Sequence, residues 1–200
     1  MKPEVVLLDE PLANLDVHLR ESMLREFKEF HARTRATMIF VTHDQTEAMA
    51  VSDRIAVMNS GKLAQIATPQ DIYDRPEDRN VARFVGKGSI VPVLVTDVHG
   101  ETCSVDVWGH KTVFRCRRDQ PPGKAYASLK HSDLGNGGGG LPCTVLNSVY
   151  RGGSTLFEVM PQANRNEADP LRLILPGHVV RKAGEQLAVS INTGWVLPDA

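Results

Sequence analysis

The sequence VVLLDEPLANLD occupies residues 5–16. Its four leading apolar residues run directly into Asp9 and Glu10, and a polar turn then closes on Asp16. A continuous apolar run of this kind predicts a strand buried on both faces of a parallel sheet. The two carboxylates would therefore stand where the strand leaves the sheet, and Asp16 would begin the next helix as its N-cap.

The segment that follows, up to Gly86, alternates between helices and strands. An amphipathic helix is predicted from apolar residues at steps of three and four, namely Leu19, Met23, Leu24, Phe27 and Phe30. Further strands are predicted at residues 38–41, 54–58 and 63–67, and further helices at 46–51, after a Thr68 cap, and from Pro76 to Gly86. This alternation indicates an α/β domain over residues 1–86.

From Ser89 onward the hydrophobic period changes to two. Short strands separated by turn residues are predicted at residues 91–95, 103–107, 112–116, 125–129, 144–149, 155–159, 171–175 and 186–191. Such a series predicts an all-β barrel or sandwich of the oligomer-binding type over residues 87–200. The glycines at 137–140 are predicted to form a flexible loop, since the Lys-Ser/Thr pair of a phosphate-binding loop does not follow them.

The composition of the 200 residues is that of an ordinary globular protein, with 42% apolar residues and a net charge of −1. The near-neutral charge gives no reason to expect a nucleic-acid partner. Cys103, Cys116 and Cys143 show no metal-binding spacing, so reduced structural thiols are expected. No apolar run approaches the ~20 residues that span a bilayer, and any membrane role is expected to come through a partner.

Chemically useful side chains follow two of the predicted strands. Asp9 and Glu10 end the first strand, and His43 lies just beyond the strand at 38–41. In a right-handed strand–helix–strand unit the carboxyl ends of parallel strands meet at one edge of the sheet, so neighbouring strands would place these groups on one crevice. One carboxylate can then hold Mg²⁺ through its water shell while the other polarises an attacking water, and the histidine can hydrogen-bond a terminal phosphate.

These motifs resemble the ATP-binding subunits of ABC transporters, specifically the importer ATPases of the maltose, polyamine and ferric-iron type. VVLLDEP is similar to their Walker B strand, and LANLD is similar to their D-loop. The segment that begins VTHDQTEAM at residue 41 resembles their switch-histidine segment, and NVARFVG at 80–86 resembles the close of their nucleotide domain. In the β-rich remainder, LKHSDL and VYRGGSTLFEV resemble parts of the appended TOBE domain.

The resemblance implies a role for each candidate residue. Asp9 would be the Walker B aspartate of the Mg²⁺ site, acting through water, and Glu10 would be the general base or water-positioning glutamate. Asp16 would be the D-loop aspartate at the dimer seam, a role that can coexist with the helix N-cap, and His43 would be the switch histidine. ATP and Mg²⁺ are the implied cofactors. The implied fold is a partial P-loop NTPase domain of the ABC type over residues 1–86, lacking its N-terminal half, followed by an all-β, OB-like TOBE domain over residues 87–200.

Three motifs of the family are absent from the 200 residues: the GxxxxGK[ST] phosphate loop, the glutamine loop and the LSGGQ signature. The resemblance therefore implies that the chain is the C-terminal part of such a subunit. Because the phosphate loop supplies most of the grip on phosphate, the chain alone is expected to be inactive. A family strand between those at 38–41 and 54–58 would also be missing, which would leave two sheet edges unpaired.

The implied activity is ATP hydrolysis coupled to solute uptake by an importer. The implied partners are transmembrane permease subunits, a second copy in a homodimer and, indirectly, a solute-binding protein. The implied location is cytoplasmic, peripheral on the inner face of the cell membrane. Two other functions stay open: a free-standing β-barrel module that binds a small ligand beside a vestigial ATPase segment, and another P-loop NTPase such as a helicase. The D-loop, the switch segment and the β-rich tail argue against the helicase.

Overall fold

The computed structural model describes residues 3–86, 88–163 and 168–198. The chain divides into two compact units, residues 1–72 and residues 73–200. The elements up to the division are β1 (Val5–Asp9), α1 (Val17–Thr34), β2 (Thr37–Val41), α2 (Gln45–Val51), β3 (Ile55–Asn59), β4 (Lys62–Ala67) and α3 (Pro69–Asp74), which crosses it. The predicted domain assignments to residues 1–86 and 87–200 stay predictions.

The first unit holds two small sheets. Strands β1 and β2 pair in parallel, with Asp9 opposite Val41, which confirms that these two strands are neighbours. Helix α1 connects them, and its Phe27 meets Phe40 of β2 edge to face with ring centroids 5.8 Å apart. Strands β3 and β4 form an antiparallel hairpin, and the sequence Asn59-Ser60-Gly61-Lys62 predicts the turn between them.

Strands β1 and β2 are not buried on both faces, so that prediction is wrong for the run at residues 5–8. Leu7 is 66% exposed, and Val5, Ile39 and Val41 are also exposed. Among the described residues, β2 pairs with β1 alone and β3 pairs with β4 alone. Each of these four strands therefore has one unpaired edge among the described residues. The unpaired edges of β2 and β3 are the two that the sequence predicts.

The second unit is mostly β-structure. Its elements are α4 (Arg79–Gly86), β5 (Ser89–His99), β6 (Thr102–Val107), β7 (His110–Arg115), β8 (Gly123–Leu129), a 3₁₀ turn (His131–Asp133), β9 (Leu134–Tyr150), β10 (Ser154–Pro161), β11 (Leu171–Pro176), β12 (Gln186–Ile191) and β13 (Trp195–Val196). A closed barrel has the strand order β13-β7-β6-β5-β8, and a four-stranded antiparallel sheet has the order β11-β10-β9-β12. One continuous apolar core, which includes Phe114 and Phe157, lies among these strands.

Helix α4 differs from its prediction in its first residue and in the unit that it packs with. It begins at Arg79, later than the predicted start at Pro76, because Asp78 caps it by accepting the backbone N–H of Val81 at 2.8 Å. It also packs with the second unit, since Ala82 shares a buried cluster with residues of β5 and β13. The cap at Thr68 is confirmed for α3, where the Thr68 hydroxyl accepts the N–H of Asp71 at 3.2 Å.

A buried cation anchors the start of the second unit to its barrel. Lys130, which follows β8 and is 4% exposed, forms an ion pair with Asp74. Its Nζ also lies 3.9 Å from the centroid of the Tyr73 ring. Nearby, the Trp195 indole N–H donates to the Pro76 carbonyl at 3.0 Å. These contacts make the segment before α4 an integral part of the second unit.

The glycines at 137–140 lie within strand β9, so the predicted flexible loop is wrong. The pairing of β9 with β12 shifts register here, from Asn136 opposite Val189 to Pro142 opposite Ala188. A strand of glycines carries no hydrophobic alternation, and for that reason the sequence pattern could not reveal it. The missing side chains instead allow a close approach between backbones.

Gly140→Ala is expected to destabilise the second unit by ~1–3 kcal/mol. A Cβ at position 140 would lie 2.5 Å from the carbonyl carbon of Val189, and this neighbour is backbone that cannot swing away. The midpoint of urea unfolding would measure the loss. Gly137→Ala is the matched control, because its Cβ would meet no atom within 4 Å. Equal midpoints for the two variants would contradict the proposed close approach.

Candidate functional site

Two strand ends bring together the predicted catalytic residues of the first unit. Strand β1 ends at Asp9 and β2 ends at Val41, and the backbone N–H of Glu10 donates to the Val41 carbonyl at 2.9 Å. Just beyond these ends, Glu10 Oε1 lies 2.9 Å from His43 Nδ1. Parallel pairing therefore delivers a carboxylate and an imidazole to one edge, as the sequence predicted.

The backbone of Glu10 adopts an unusual conformation. Its φ is 43°, in the left-handed region that residues with a Cβ enter rarely. The chain turns sharply there, and the Glu10 carbonyl accepts the N–H of Ala13 at 3.2 Å. The turn directs the chain out of the sheet immediately after the carboxylate has been placed. Such strain is found frequently at functional sites.

His43 is exposed over 76% of its side chain. Its hydrogen bond to the Glu10 carboxylate, together with the negative charge of that group, raises the pKa of the imidazole above its ordinary value. Slight desolvation opposes this effect, and the charges of Glu47 and Asp44 add to it. The protonated imidazole is therefore favoured beside Glu10 over a wider pH range than that of a free histidine.

A polar network that the sequence reasoning missed lies behind this pair. Glu47 of α2 is a carboxylate with a side chain only 6% exposed, and it accepts the Thr42 hydroxyl at 2.7 Å. Arg20 of α1 forms ion pairs with Glu47 at 3.4 Å and with Asp44 at 3.7 Å. The N-cap motif after His43 was the available signal, since Asp44 accepts the N–H groups of Thr46 and Glu47.

The charge of Asp44 is stabilised in place. Burial raises the pKa of this carboxyl group, but the N–H groups of Thr46 and Glu47 and the charge of Arg20 outweigh burial, and the net pKa is lowered. The capped helix start therefore keeps a negative charge next to His43.

These groups share a small concave site with a cavity volume of about 110 Å³. The residues that line it are Glu10, Ala13, Arg20, Thr42, His43, Asp44 and Glu47. Asp9 lies at the exposed end of β1 and Asp16 at the start of α1, where it accepts the N–H of Leu19 at 2.9 Å. The N-cap prediction for Asp16 is confirmed. In the described residues, neither aspartate belongs to the set that lines the site.

The residues at this edge fit Mg²⁺ only as a partial site. Across the described residues, no group of three or more His, Cys, Asp or Glu side chains is arranged to hold a metal ion. Mg²⁺ commonly uses one or two carboxylates and completes its shell with waters and substrate phosphates. The exposed carboxylate of Asp9 is of the type that can fill one such position.

A larger cavity of about 360 Å³ lies in the second unit beside Trp195. Its arginines face carboxylates: Arg118 pairs with Glu101 at 3.2 Å and Arg117 with Asp119 at 3.4 Å. The guanidinium groups are thus already engaged. The contact between Glu10 and His43 lies in the first unit. No helix in the described ranges is long and apolar enough to cross a membrane.

Curated proteins of similar sequence are import ATP-binding proteins. The chain is 42% identical over 161 residues to the spermidine/putrescine import ATP-binding protein PotA of Ruegeria pomeroyi, covering 79% of this chain and 44% of that protein. It is 36% identical over 187 residues to the Fe(3+) ions import ATP-binding protein FbpC of Rhizobium etli, covering 91% and 50%. It is also 52% identical over 193 residues to a putative ATP-binding protein of Brucella abortus, covering 96% and 53%.

No protein-family profile matches the chain. The chain spans about half the length of the curated relatives it matches. The similarity nevertheless extends over most of the 200 residues and includes both the strand-end site and the β-rich segment. By these similarities the chain belongs to the family of ABC importer ATP-binding subunits.

Proposed function

We propose that this chain forms the part of an importer's ATP-hydrolysing subunit that activates the attacking water. The observation that carries the proposal is the 2.9 Å contact between Glu10 and His43 at the carboxyl ends of two parallel strands. An exposed carboxylate at that edge can orient a water and accept its proton. The similarity to import ATP-binding proteins supports ATP as the substrate.

The geometry divides the work between the two side chains. His43 Nδ1 faces Glu10, so Nε2 is the ring nitrogen left to donate to a terminal phosphate. While this contact persists, the Glu10 oxygen that faces the imidazole is engaged with His43. Movement of His43 toward a phosphate would therefore release Glu10 to act on water, and the same step would place positive charge where negative charge develops.

The remaining predicted site residues have supporting roles in this proposal. Asp9 would hold Mg²⁺ through water, and the ion, when bound, neutralises charge on the phosphates. Asp16 would lie at the seam of a homodimer in addition to capping α1. The wider assembly belongs to the same proposal: permease subunits, an indirect link to a solute-binding protein, a cytoplasmic position on the membrane surface, and an OB-like TOBE domain in the β-rich segment.

The chain as it stands is expected to bind ATP only weakly and to hydrolyse none. Its 200 residues contain no GxxxxGK[ST] loop, whose backbone N–H groups would hold the phosphates. Titration of a fluorescent ATP analogue with Mg²⁺ would measure the affinity. The Brucella abortus relative, which is about twice as long, is the positive control. Micromolar affinity of this chain would contradict the expectation.

A further inference from the structure

We infer that Thr42, Glu47 and Arg20 are positioning residues that hold His43 against Glu10. The inference rests on the proposed role of His43 in the ATPase site. It extends that role to three side chains that touch neither the nucleotide nor the water in the proposal. The geometry that carries it is a chain of contacts linking both sequence neighbours of His43 to the ion pair between Arg20 of α1 and the nearly buried Glu47 of α2.

The two residues beside His43 are tied to each other and to α2. The Thr42 hydroxyl donates to Glu47 Oε2 at 2.7 Å and accepts the backbone N–H of Asp44 at 3.0 Å. Asp44 in turn caps α2 through the N–H of Thr46 at 2.7 Å. The backbone on both sides of His43 is therefore restrained, which limits the directions in which the exposed imidazole can point.

The Thr42 contact depends on a carboxylate that needs compensation. Glu47 is nearly buried, and burial of a carboxylate is costly unless a cation or hydrogen bonds accompany it. Arg20 supplies the cation, with Nε 3.4 Å from Glu47 Oε1, although this nitrogen makes no aligned hydrogen bond in the described residues. Arg20 Nη2 also donates to the Leu15 carbonyl at 3.2 Å, which holds the guanidinium at the start of α1.

The location of Arg20, Thr42 and Glu47 distinguishes a role in positioning His43 from a role in helix packing alone. Arg20, Thr42 and Glu47 line the same concave site as Glu10 and His43. The charges that act on His43 are those of Glu10, Glu47 and Asp44, and Arg20 is ion-paired with the last two. A network that only joined two helices would have no effect on the distance between His43 and Glu10.

The test uses the 200-residue chain and needs no nucleotide. The protonation midpoint of His43, followed by NMR of its imidazole ¹H and ¹³C nuclei, reports its contact with Glu10, because that contact raises the pKa. Thr42→Val removes the hydroxyl without changing charge. We expect the His43 midpoint to fall toward the ordinary value, while Thr42→Ser, which keeps the hydroxyl, retains the raised midpoint. An unchanged midpoint in Thr42→Val would overturn the inference.

The direction in which Arg20→Ala shifts the protonation midpoint of His43 distinguishes a positioning role from a direct effect of charge. Arg20→Ala removes a positive charge, and by Coulomb's law alone this would raise the pKa of His43. If Arg20 holds the network, its loss frees the imidazole from Glu10 and the midpoint falls. Arg20→Lys keeps the charge and is expected to recover part of the contact. A rise in Arg20→Ala would refute the positioning role.

The matched control is Arg25→Ala, which removes an exposed arginine from the same helix and should leave the His43 midpoint unchanged. Amide signals of β1 and β2 report whether each variant is folded. If Thr42→Val does not fold, the variants Arg20→Ala and Arg20→Lys test the positioning role by themselves. The ATPase proposal is tested separately, by ATP turnover. If the His43 midpoints shift as expected but the extended protein hydrolyses no ATP, the positioning role stands and only the ATPase proposal is refuted.

Discussion

Glu10→Gln is expected to lower ATP turnover by ~10²–10⁴-fold in a protein that joins residues 1–200 to the part of the Brucella abortus relative that they do not match. The amide keeps the size and hydrogen-bonding capacity of the side chain but cannot accept a proton from water. ATP binding should survive, because in the proposed mechanism the carboxylate acts on the water and not on the nucleotide. Steady-state turnover and equilibrium binding of the joined protein would measure both effects.

Companion variants assign the other roles. Asp9→Asn should raise the Mg²⁺ concentration needed for half-maximal turnover, and His43→Ala should slow hydrolysis because a contact to the terminal phosphate is lost. Glu26→Gln, on the exposed face of α1, is the matched control and should leave turnover unchanged. If Glu10→Gln hydrolysed ATP as fast as the parent protein, Glu10 would not be the general base.

A chain that begins at residue 87 is expected to be less stable than one that begins at residue 73, by ~3–5 kcal/mol. The shorter chain lacks Asp74 and Tyr73, so Lys130 would lose its ion pair and its contact with the aromatic ring. It also lacks the Pro76 carbonyl that accepts the Trp195 indole N–H, and the helix that carries Ala82. Urea unfolding followed by tryptophan fluorescence would compare the two chains.

The substitution Lys130→Met isolates the ionic part of this effect. A buried methionine needs no partner, so the variant should recover stability in the chain that begins at residue 87. In the chain that begins at residue 73, the same change should have a smaller effect, since it removes a cation that Asp74 already compensates. Equal stability of the two unsubstituted chains would contradict the anchoring role of Lys130.

Local features were predictable from the sequence where one residue type acts on its neighbours. Caps at Asp16 and Thr68, the turn between β3 and β4, and the meeting of Glu10 with His43 all follow from rules of short range or of parallel pairing. Asp78 shows the limit of such rules, since a nearby proline gave a competing start for α4.

Features that depend on distant parts of the chain were not predictable. The ion pair between Arg20 and Glu47 joins two helices, and charged residues on a helix are usually solvated. Residues 137–140 lie in strand β9 at the point where its register against β12 shifts, and no local pattern reveals that shift. Exposure of Leu7 runs against its apolar context, because burial depends on which strands are present to cover it.

The left-handed backbone of Glu10 has a consequence for how this position can vary. A glycine there would relieve ~1 kcal/mol of backbone strain, so substitutions chosen for stability alone would drift away from glutamate. Selection for thermal robustness and selection for the carboxylate therefore act in opposite directions at this residue. Position 10 is a place where optimising the fold and keeping the chemistry would lead to different amino acids.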